Sequence, residues 1–321
     1  MNNKPIIIVA GEPNSVFLEI FFKCKKKINV KKPIIIIASK KLLLLQMKKL
    51  GFNFEVNLLN VNRLKFNLLD NKKINLIDIE YKFNKIFDKI SENSNPYINE
   101  SFRVALKILK EKNCSGLING PISKKHFLKG ESLGITEYLA KKTNKSDNVA
   151  MLIFNKKLSV TPITTHLALK DVNKYISKKK IYTHVKLVTN FYKKRFNKKP
   201  RIAITGLNPH CESNFRDCEE DAIITPAIKN LQSKNFLVQG PFPADTIFMK
   251  EQLKNFDIII GMYHDQVLAP MKALFGFDAI NITLGLPFIR ISPDHGPNSS
   301  MLGKNLSNPK SLIEALKFLD K

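Results

Sequence analysis

The sequence contains no tryptophan, no C-x-x-C pair and no apolar run of the ~18 to 20 residues needed to cross a membrane as a helix. Its four cysteines are scattered, which argues against a zinc knuckle or a disulfide scaffold and favours reduced thiols. The amino-terminal apolar run is too short for a signal peptide, and no small-residue cleavage site follows it. We therefore expect a cytoplasmic protein that makes no membrane contact.

Acidic residues are scarce, because 53 lysines and arginines stand against 27 aspartates and glutamates, for a formal net charge of +26. An excess of this size occurs in nucleic-acid-binding proteins. Here the lysines are spread over almost every predicted helix, and the chain has no nucleic-acid-binding motif. We expect solvated, lysine-rich helix faces that attract anionic ligands and no nucleic-acid partner; nucleic-acid binding stays the alternative from a different class.

Short apolar segments alternate along the chain with longer segments of helical period. The apolar segments predict strands at 5–10, 33–39, 148–154, 157–165, 201–207, 256–262 and 279–285. This β-α-β alternation predicts an α/β fold, doubly wound as α/β/α layers around a largely parallel sheet. Residues 60–95 are polar and rich in asparagine, so we interpret them as a peripheral insertion.

Three of the six histidines stand just past the carboxyl end of a predicted strand: His166, His210 and His264. In open α/β sheets this edge is where ligands bind. Three imidazoles with an open fourth position would form a catalytic site for zinc or a similar divalent ion. Taken singly, a histidine at such a position is more often a hydrogen-bonded structural or loop residue, and only the three together indicate a shared site. We expect two others, His126 and His184, at the surface.

Carboxylates and cations accompany these histidines. Asp265 directly follows His264, and Asp245 lies in the loop GPFPADTIF. Either aspartate could orient a ligand imidazole or accept a proton, and Asp245 could instead cap the following helix. Further along stand Lys272, Asn281 and Arg290, of which the arginine is suited to a carboxylate or phosphate, or to a surface ion pair. The chain has no G-x-G-x-x-G, Walker, G-x-S-x-G or H-E-x-x-H motif, so a dinucleotide would bind without the usual glycine fingerprint.

A series of motifs runs through the chain in a fixed order: NGPISKKH, GITEYLA, TTHLALKDV, GLNPH, GPFPADTIF and GMYHDQVLAPMKALFGFDAINITLGLPFIRISPDHG. These motifs resemble those of the 4-hydroxythreonine-4-phosphate dehydrogenase family of pyridoxal phosphate biosynthesis, from about residue 5 to residue 305. The resemblance implies a fold like that of isocitrate and isopropylmalate dehydrogenases. It further implies two α/β/α parts sharing a sheet, placed at 1–125 with 290–321 and at 126–289, with the active cleft between them.

The resemblance also assigns roles to residues. Metal ligands fall on His166, His210 and His264, and substrate contacts fall on Thr136, Lys272, Asn281 and Arg290. Asp245, Asp265 and Lys272 are the candidate catalytic groups. The implied reaction is oxidation of 4-phosphooxy-threonine by NAD or NADP with a divalent ion (zinc, magnesium, cobalt or manganese), followed by loss of carbon dioxide. A homodimer with the metal site at its interface is implied as well, and the cofactor-binding residues stay open.

The chain departs from the family pattern at several points. Ile135 replaces the histidine of G-H-T-E, and because isoleucine forms no hydrogen bond we expect a tenfold or greater loss of substrate affinity. Gly11 to Glu19 reads GEPNSVFLE without the later glycines of the family pattern. From His210 the chain reads HCE where the family has H-A-G-E, one glycine short, and DHGP replaces D-H-G-T at 294–297. The alternatives are therefore a dehydrogenase of another phosphorylated hydroxy acid, of the threonate or erythronate type, and a non-catalytic metal- or ligand-binding protein.

Overall fold

The computed structural model describes residues 4–111, 113–128, 130, 134–145, 148–212, 218–276, 278–293 and 296–321. The chain divides into two compact units, Met1–Ile135 with Pro287–Lys321 (unit 1) and Thr136–Leu286 (unit 2). The sequence placed these boundaries at 125/126 and 289/290. Within the DHGP segment, residues 294 and 295 lie outside the described part of the chain.

The secondary structure alternates strands and helices, as the sequence predicted. The described residues contain the strands β1 Ile6–Val9, β2 Ile34–Ala38, β3 Val56–Leu58, β4 Ile74–Asp78, β5 Gly116–Asn119, β6 Ala150–Phe154, β7 Ser159–Thr164, β8 Ile202–Thr205, β9 Val238–Phe242, β10 Ile258–Tyr263, β11 Ile280–Leu284 and β12 Arg290–Ser292. The α-helices are α1 Phe17–Lys27, α2 Lys40–Lys49, α3 Asn95–Glu111, α4 Ile135–Lys142, α5 Val172–Tyr175, α6 Lys178–Phe196, α7 Thr225–Ser233, α8 Lys250–Leu253, α9 His264–Phe275 and α10 Lys310–Asp320.

The strands of unit 1 are all parallel to their neighbours, in the order β3-β4-β2-β1-β5-β12. The residues of β1, IIIV, are completely buried, as expected of a central strand covered on both faces. Strand β4 is an internal strand and lies within residues 60–95. The interpretation of that region as a peripheral insertion is therefore wrong, because its short apolar segment INLID is part of the sheet.

The strands of unit 2 follow the order β11-β6-β7-β10-β8-β9. Strands β7, β10, β8 and β9 run parallel, whereas β6 is antiparallel to both of its neighbours. Strand β10 pairs along its length with β7 and through its first three residues with β8, so the carboxyl ends of these strands meet at one edge. The strands of both units confirm the predicted α/β fold with a mostly parallel sheet.

Two local predictions fail. His184, expected at the surface, is buried within α6, and its ring Nδ1 lies 2.9 Å from the carbonyl oxygen of Lys180. Burial lowers the pKa of this imidazole to about 4, so it is neutral at physiological pH. A serine directly before an apolar helical segment predicts an N-cap, but Ser15 precedes Val16, the N-cap residue of α1; its hydroxyl oxygen does accept the Phe17 N–H at 3.3 Å. None of the helices in the described ranges has the length and apolar character of a membrane span.

Candidate metal and substrate site

Each of the four adjacent parallel strands in unit 2 is followed by a predicted site residue. In sheet order, the strands β7, β10, β8 and β9 are followed by His166, His264, His210 and Asp245. We call this the histidine edge. These four side chains are exposed or half-buried. By contrast, the strands β7, β10 and β8 that precede the three histidines are almost entirely buried. The arrangement follows from parallel pairing, which brings the carboxyl ends of neighbouring strands together.

Two of the predicted metal ligands lie close together. The ring centroids of His166 and His264 are 6.1 Å apart, with an angle of 36° between the ring planes. His264 is the first residue of α9, and its Nδ1 lies 2.7 Å from the Asp265 carboxylate oxygen Oδ1. In the neutral imidazole the proton then sits on Nδ1, which leaves the Nε2 lone pair for a ligand. The predicted orienting role of Asp265 is thus geometrically possible.

The third predicted ligand lies on a constrained loop. His210 and Cys211 have φ angles of 59° and 62°, in the left-handed region that non-glycine residues rarely adopt. Glu220 holds the start of this loop in place, because its Oε1 accepts hydrogen bonds from the N–H groups of Leu207 and Asn208 at 2.6 and 2.8 Å. Burial alone would raise the pKa of the Glu220 carboxyl, but these hydrogen bonds outweigh it and hold the pKa below its ordinary value.

A buried glutamine that the sequence reasoning missed joins the strand ends. The Gln266 Oε1 accepts the Met262 N–H at 2.7 Å and the Thr205 hydroxyl at 2.8 Å, and its Nε2 donates to the Gly206 carbonyl at 2.8 Å. One side chain on α9 therefore binds the ends of both β10 and β8. The sequence shows a polar residue, Gln266, two positions after His264. Its contacts become evident only from the pairing of β10 with β8 in the structure.

Asp245 lies in the turn after β9 and is exposed. Its proposed role as a helix cap is not seen, because α8 begins at Lys250 with Met249 as its N-cap residue. The carboxylate is close enough to the loop after β8 to act on Cys211: burial raises the pKa of that thiol, and the negative charges of Glu220 and Asp245 raise it further. Asp245 thus contributes negative charge near the loop of the third histidine.

The side chains at this edge are of the type that binds a divalent ion, and the His166–His264 pair fits two positions of such a site. Within the described ranges, however, no group of three or more histidine, cysteine, aspartate or glutamate side chains is arranged to hold a metal. The set of three histidines therefore remains a prediction.

Two of the predicted substrate residues, Thr136 and Asn281, lie near a further polar side chain, Thr283. The hydroxyl oxygens of Thr136 on α4 and Thr283 on β11 are 3.4 Å apart. Asn281 lies two residues before Thr283, so both side chains point to the same face of the sheet. The Asn281 Nδ2 donates to the Met151 sulfur at 3.3 Å, while its Oδ1 is buried with no partner among the described residues. Thr283 was not predicted, although the alternation in INITL could have indicated it.

Lys272 lies on α9, eight residues after His264, which places the two Cα atoms about 12 Å apart along the helix. The side chain is exposed on one side, and its partial burial lowers the pKa of the amine. A lysine with a lowered pKa gives up its proton more readily than an ordinary lysine.

The remaining predicted substrate residue, Arg290, belongs to unit 1. It is the first residue of β12 and is completely buried, and its Nε donates to the Asn119 Oδ1 at 2.7 Å. In the same unit, the altered segment after β1 is buried as well: Val16 and Phe17 are each 1 % exposed. The bulky residues that replace the family glycines therefore pack in the core of unit 1.

A largely parallel α/β sheet with histidines and carboxylates at its carboxyl edge, and a lysine of lowered pKa on the helix that begins there, has the scaffold and side chains of an α/β enzyme. The family model described as pyridoxal phosphate biosynthetic protein PdxA matches residues 29–319, and the chain belongs to this family.

Individual relatives agree with this assignment. The chain is 38% identical over 323 residues to 4-hydroxythreonine-4-phosphate dehydrogenase of Sulfurihydrogenibium sp., covering 98% of this chain and 96% of that protein. It is 34% identical over 250 residues to a candidate D-threonate 4-phosphate dehydrogenase of Oceanobacillus iheyensis, covering 76% of this chain and 75% of that protein. The crystal structure of 4-hydroxythreonine-4-phosphate dehydrogenase from Klebsiella pneumoniae superposes with a TM-score of 0.85 at 27% identity, covering 98% of each chain.

Proposed function

We propose that this protein is a nicotinamide-dependent dehydrogenase of pyridoxal 5'-phosphate biosynthesis. It oxidises 4-phosphooxy-L-threonine to a β-keto acid, which loses carbon dioxide to give 3-amino-2-oxopropyl phosphate. The observation that carries the proposal is the match over nearly the whole chain to relatives with this activity in their names. The exposed, titratable side chains of the histidine edge, on otherwise buried strands, support a catalytic role for that edge.

The reaction needs NAD or NADP and a divalent ion such as zinc, magnesium, cobalt or manganese. His166 and His264 would hold the metal, with His210 as the third ligand, and the active form would be a homodimer that completes the site. A divalent ion bound there would polarise the substrate hydroxyl and then the new carbonyl. NAD or NADP, when bound, would supply the hydride acceptor; no residues are assigned to its binding.

The side chains of the protein supply orientation and proton transfer. Asp265 accepts the His264 Nδ1–H and so fixes the tautomer that presents Nε2 to the site. Because burial lowers the pKa of the Lys272 amine, this group suits the role of base for the hydroxyl proton. In its protonated form the same amine can return a proton to carbon after carbon dioxide leaves. Asp245 is the second candidate for proton transfer.

The substrate would be held by hydrogen bonds and by positive charge. The Thr136 hydroxyl contacts Thr283, which shares a face of β11 with Asn281. The buried Oδ1 of Asn281 offers an acceptor for a substrate N–H or O–H. Lys272 and Arg290 would bind the phosphate and carboxylate groups.

A direct assay tests the proposal. Purified protein is incubated with 4-phosphooxy-L-threonine, NAD or NADP and each of the four metals, and formation of the reduced dinucleotide is followed by absorbance. We expect turnover with at least one metal and loss of turnover on adding a chelator. No turnover under any of these conditions would count against the proposed substrate.

A second substrate is favoured by one specific residue. Ile135, at the start of α4 and next to Thr136, provides no hydrogen bond where the family pattern has histidine. The Oceanobacillus iheyensis relative carries the name of a D-threonate 4-phosphate enzyme, which indicates that sugar-acid phosphates are substrates within reach of this scaffold. If kcat/KM is higher for a phosphorylated threonate or erythronate, and Ile135→His shifts the preference to 4-phosphooxy-L-threonine, the second substrate is the natural one.

A further inference from the structure

Unit 1 contains a cavity of about 560 Å³ at the amino end of its parallel strands, where β2 and β4 begin. This is the opposite end of the strands from the segment that follows β1. The floor is apolar and is formed by Phe21 of α1, Ile36 of β2 and Leu316 of α10, all almost completely buried. A volume of this size is within the range of cavities that bind small organic molecules.

The wall of the cavity is held in place by two asparagines. The Asn71 amide donates to the carbonyl oxygens of Val30 and Lys32, at 2.8 Å each, and its Oδ1 accepts the Ile34 N–H at 3.0 Å. Asn75 donates to the carbonyl oxygens of Ile34 and Asp70, at 3.0 and 3.1 Å. These bonds tie the turn before β2 to the turn before β4. The rim is therefore preorganised and need not be ordered by a ligand.

The rim of the cavity is strongly basic. Lys25, Lys26, Lys27, Lys72 and Lys73 line it, against a single acidic residue, Asp70. Lys73 forms an ion pair with Glu55 at 2.8 Å, and the Asp70 carboxylate accepts the Lys72 N–H. In the part of the chain that the structure describes, the amines of Lys26, Lys27 and Lys72 have no ion-pair partner. Three lysine amines at the opening of the cavity can therefore pair with an anionic ligand.

Lys25 links the rim to the floor. Its amine donates to the carbonyl oxygens of Asn71 and Lys73 at 2.6 and 3.0 Å, and lies 5.6 Å from the centroid of the Phe54 ring. Burial lowers the pKa of this amine, although the nearby Asp70 opposes the shift. An anion at the mouth would stabilise the charged form of Lys25, and an apolar group on the floor would cover the ring of Phe54.

We propose that this cavity binds a small organic phosphate, with an aromatic or short alkyl body on the apolar floor and the phosphate paired with Lys26, Lys27 and Lys72. The apolar floor excludes inorganic anions as the preferred ligand, and the surplus of cations excludes neutral ones. The site is separate from the histidine edge, which belongs to unit 2. The binding would provide a second, non-catalytic position for an organic phosphate on this enzyme.

The test uses phenyl phosphate as the probe, with inorganic phosphate and phenol as its two halves, in calorimetric titrations of the full-length protein. We expect saturable binding of phenyl phosphate and at least about tenfold weaker binding of either half. The double variant K26A/K27A should weaken phenyl phosphate binding about tenfold. Its matched control is K48A/K49A, which removes the lysine pair from the last turn of α2, outside the cavity.

Four outcomes would overturn the inference. Equal weakening in K26A/K27A and K48A/K49A would show general attraction to a basic surface, and tight binding of inorganic phosphate would show that the floor has no role. No change in K26A/K27A would place the ligand elsewhere. Because the proposed substrate is also an organic phosphate, the titration is repeated with Lys272→Ala: retained affinity supports the separate site, and lost affinity assigns the binding to the histidine edge.

Discussion

The chain after β1 in unit 1 and the chain after β10 in unit 2 each follow an internal strand that is parallel to both of its neighbours, but they have opposite character. After β10 come His264 and Asp265, one half-buried and the other exposed. After β1 come residues 11–20, every one of which is buried. The position at the end of a parallel strand thus carries exposed or half-buried titratable groups in unit 2, whereas in unit 1 the titratable Glu12 and Glu19 are buried together with the apolar residues of the segment. We infer that the chemistry resides at the histidine edge and that the segment after β1 serves stability.

The largest expected effect is on activity at the histidine edge. His264→Ala removes a proposed metal ligand, so kcat/KM should fall at least about thousandfold while the circular dichroism spectrum is unchanged. The control is His184→Gln, a histidine of unit 2 within α6, which should keep near-normal activity. Unchanged turnover in His264→Ala would remove the basis of the comparison between the two strand ends.

Phe17 should matter for stability. Its ring is 1 % exposed, so Phe17→Ala leaves a cavity in unit 1 and should lower the free energy of unfolding by about 3 to 5 kcal/mol in urea titrations. Phe196→Ala, at a side chain that is 40% exposed, should cost clearly less. A hundredfold fall in kcat for the folded Phe17→Ala protein would show that the segment after β1 takes part in catalysis, contrary to our inference.

Gln266 should couple stability to the geometry of the histidine edge. Gln266→Leu leaves the Met262 N–H, the Thr205 hydroxyl and the Gly206 carbonyl without their buried partner, at a cost of about 2 to 3 kcal/mol. Because these groups lie at the ends of β10 and β8, kcat/KM should fall as well. The exposed Gln252→Leu should change neither quantity. A Gln266→Leu variant of unchanged stability and activity would show that the hydrogen bonds of Gln266 are not needed to hold the ends of β10 and β8.

The smallest effect concerns Glu12 and depends on pH. Burial raises the pKa of this carboxyl, although hydrogen bonds from Asn14 and Ser94 oppose the shift. The folded state therefore binds the proton more tightly than the unfolded state, and Glu12 contributes stability at low pH that is lost as pH rises through its raised pKa.

Glu12→Gln keeps the shape without a charge to bury, so at neutral pH it should be more stable than the natural protein by on the order of 1 kcal/mol. The difference should shrink as pH falls toward the ordinary pKa of glutamate, about 4.3. Thermal melts across this range measure the trend, with the exposed Glu80→Gln as control. A stability difference that does not vary with pH would show that the charge of Glu12 has no part in it.

The sequence predicted those strands whose own residues have a strong preference for β-structure. Strands such as β1 (IIIV), β2 (IIIIA) and the start of β10 are runs of β-branched residues, so they were found. Strands β3, β4, β5, β9 and β12 were not predicted, because their segments are short, contain glycine and proline as in VQGPF, or lie in a polar, asparagine-rich region as INLID does. Such segments become strands only because a neighbouring strand supplies hydrogen-bonding partners, and this information is not local.

The same distinction holds for the site. The rule that ligands bind at the carboxyl ends of parallel strands was sufficient to select His166, His210 and His264. It could not find Gln266 or Glu220, whose importance depends on which backbone groups they contact across the fold. Nor could it show that Val16 and Phe17 pack in the core in place of the family glycines.

A titration with Co²⁺, followed by the visible absorption of the bound ion, tests the central claim most directly, because it reports metal binding without needing turnover. The account predicts saturable binding of one ion per chain in the natural protein. It predicts the loss of that binding in His166→Ala, His210→Ala and His264→Ala, with His184→Gln unaffected. Full cobalt binding in any of the three alanine variants would contradict the assignment of the metal to the histidine edge.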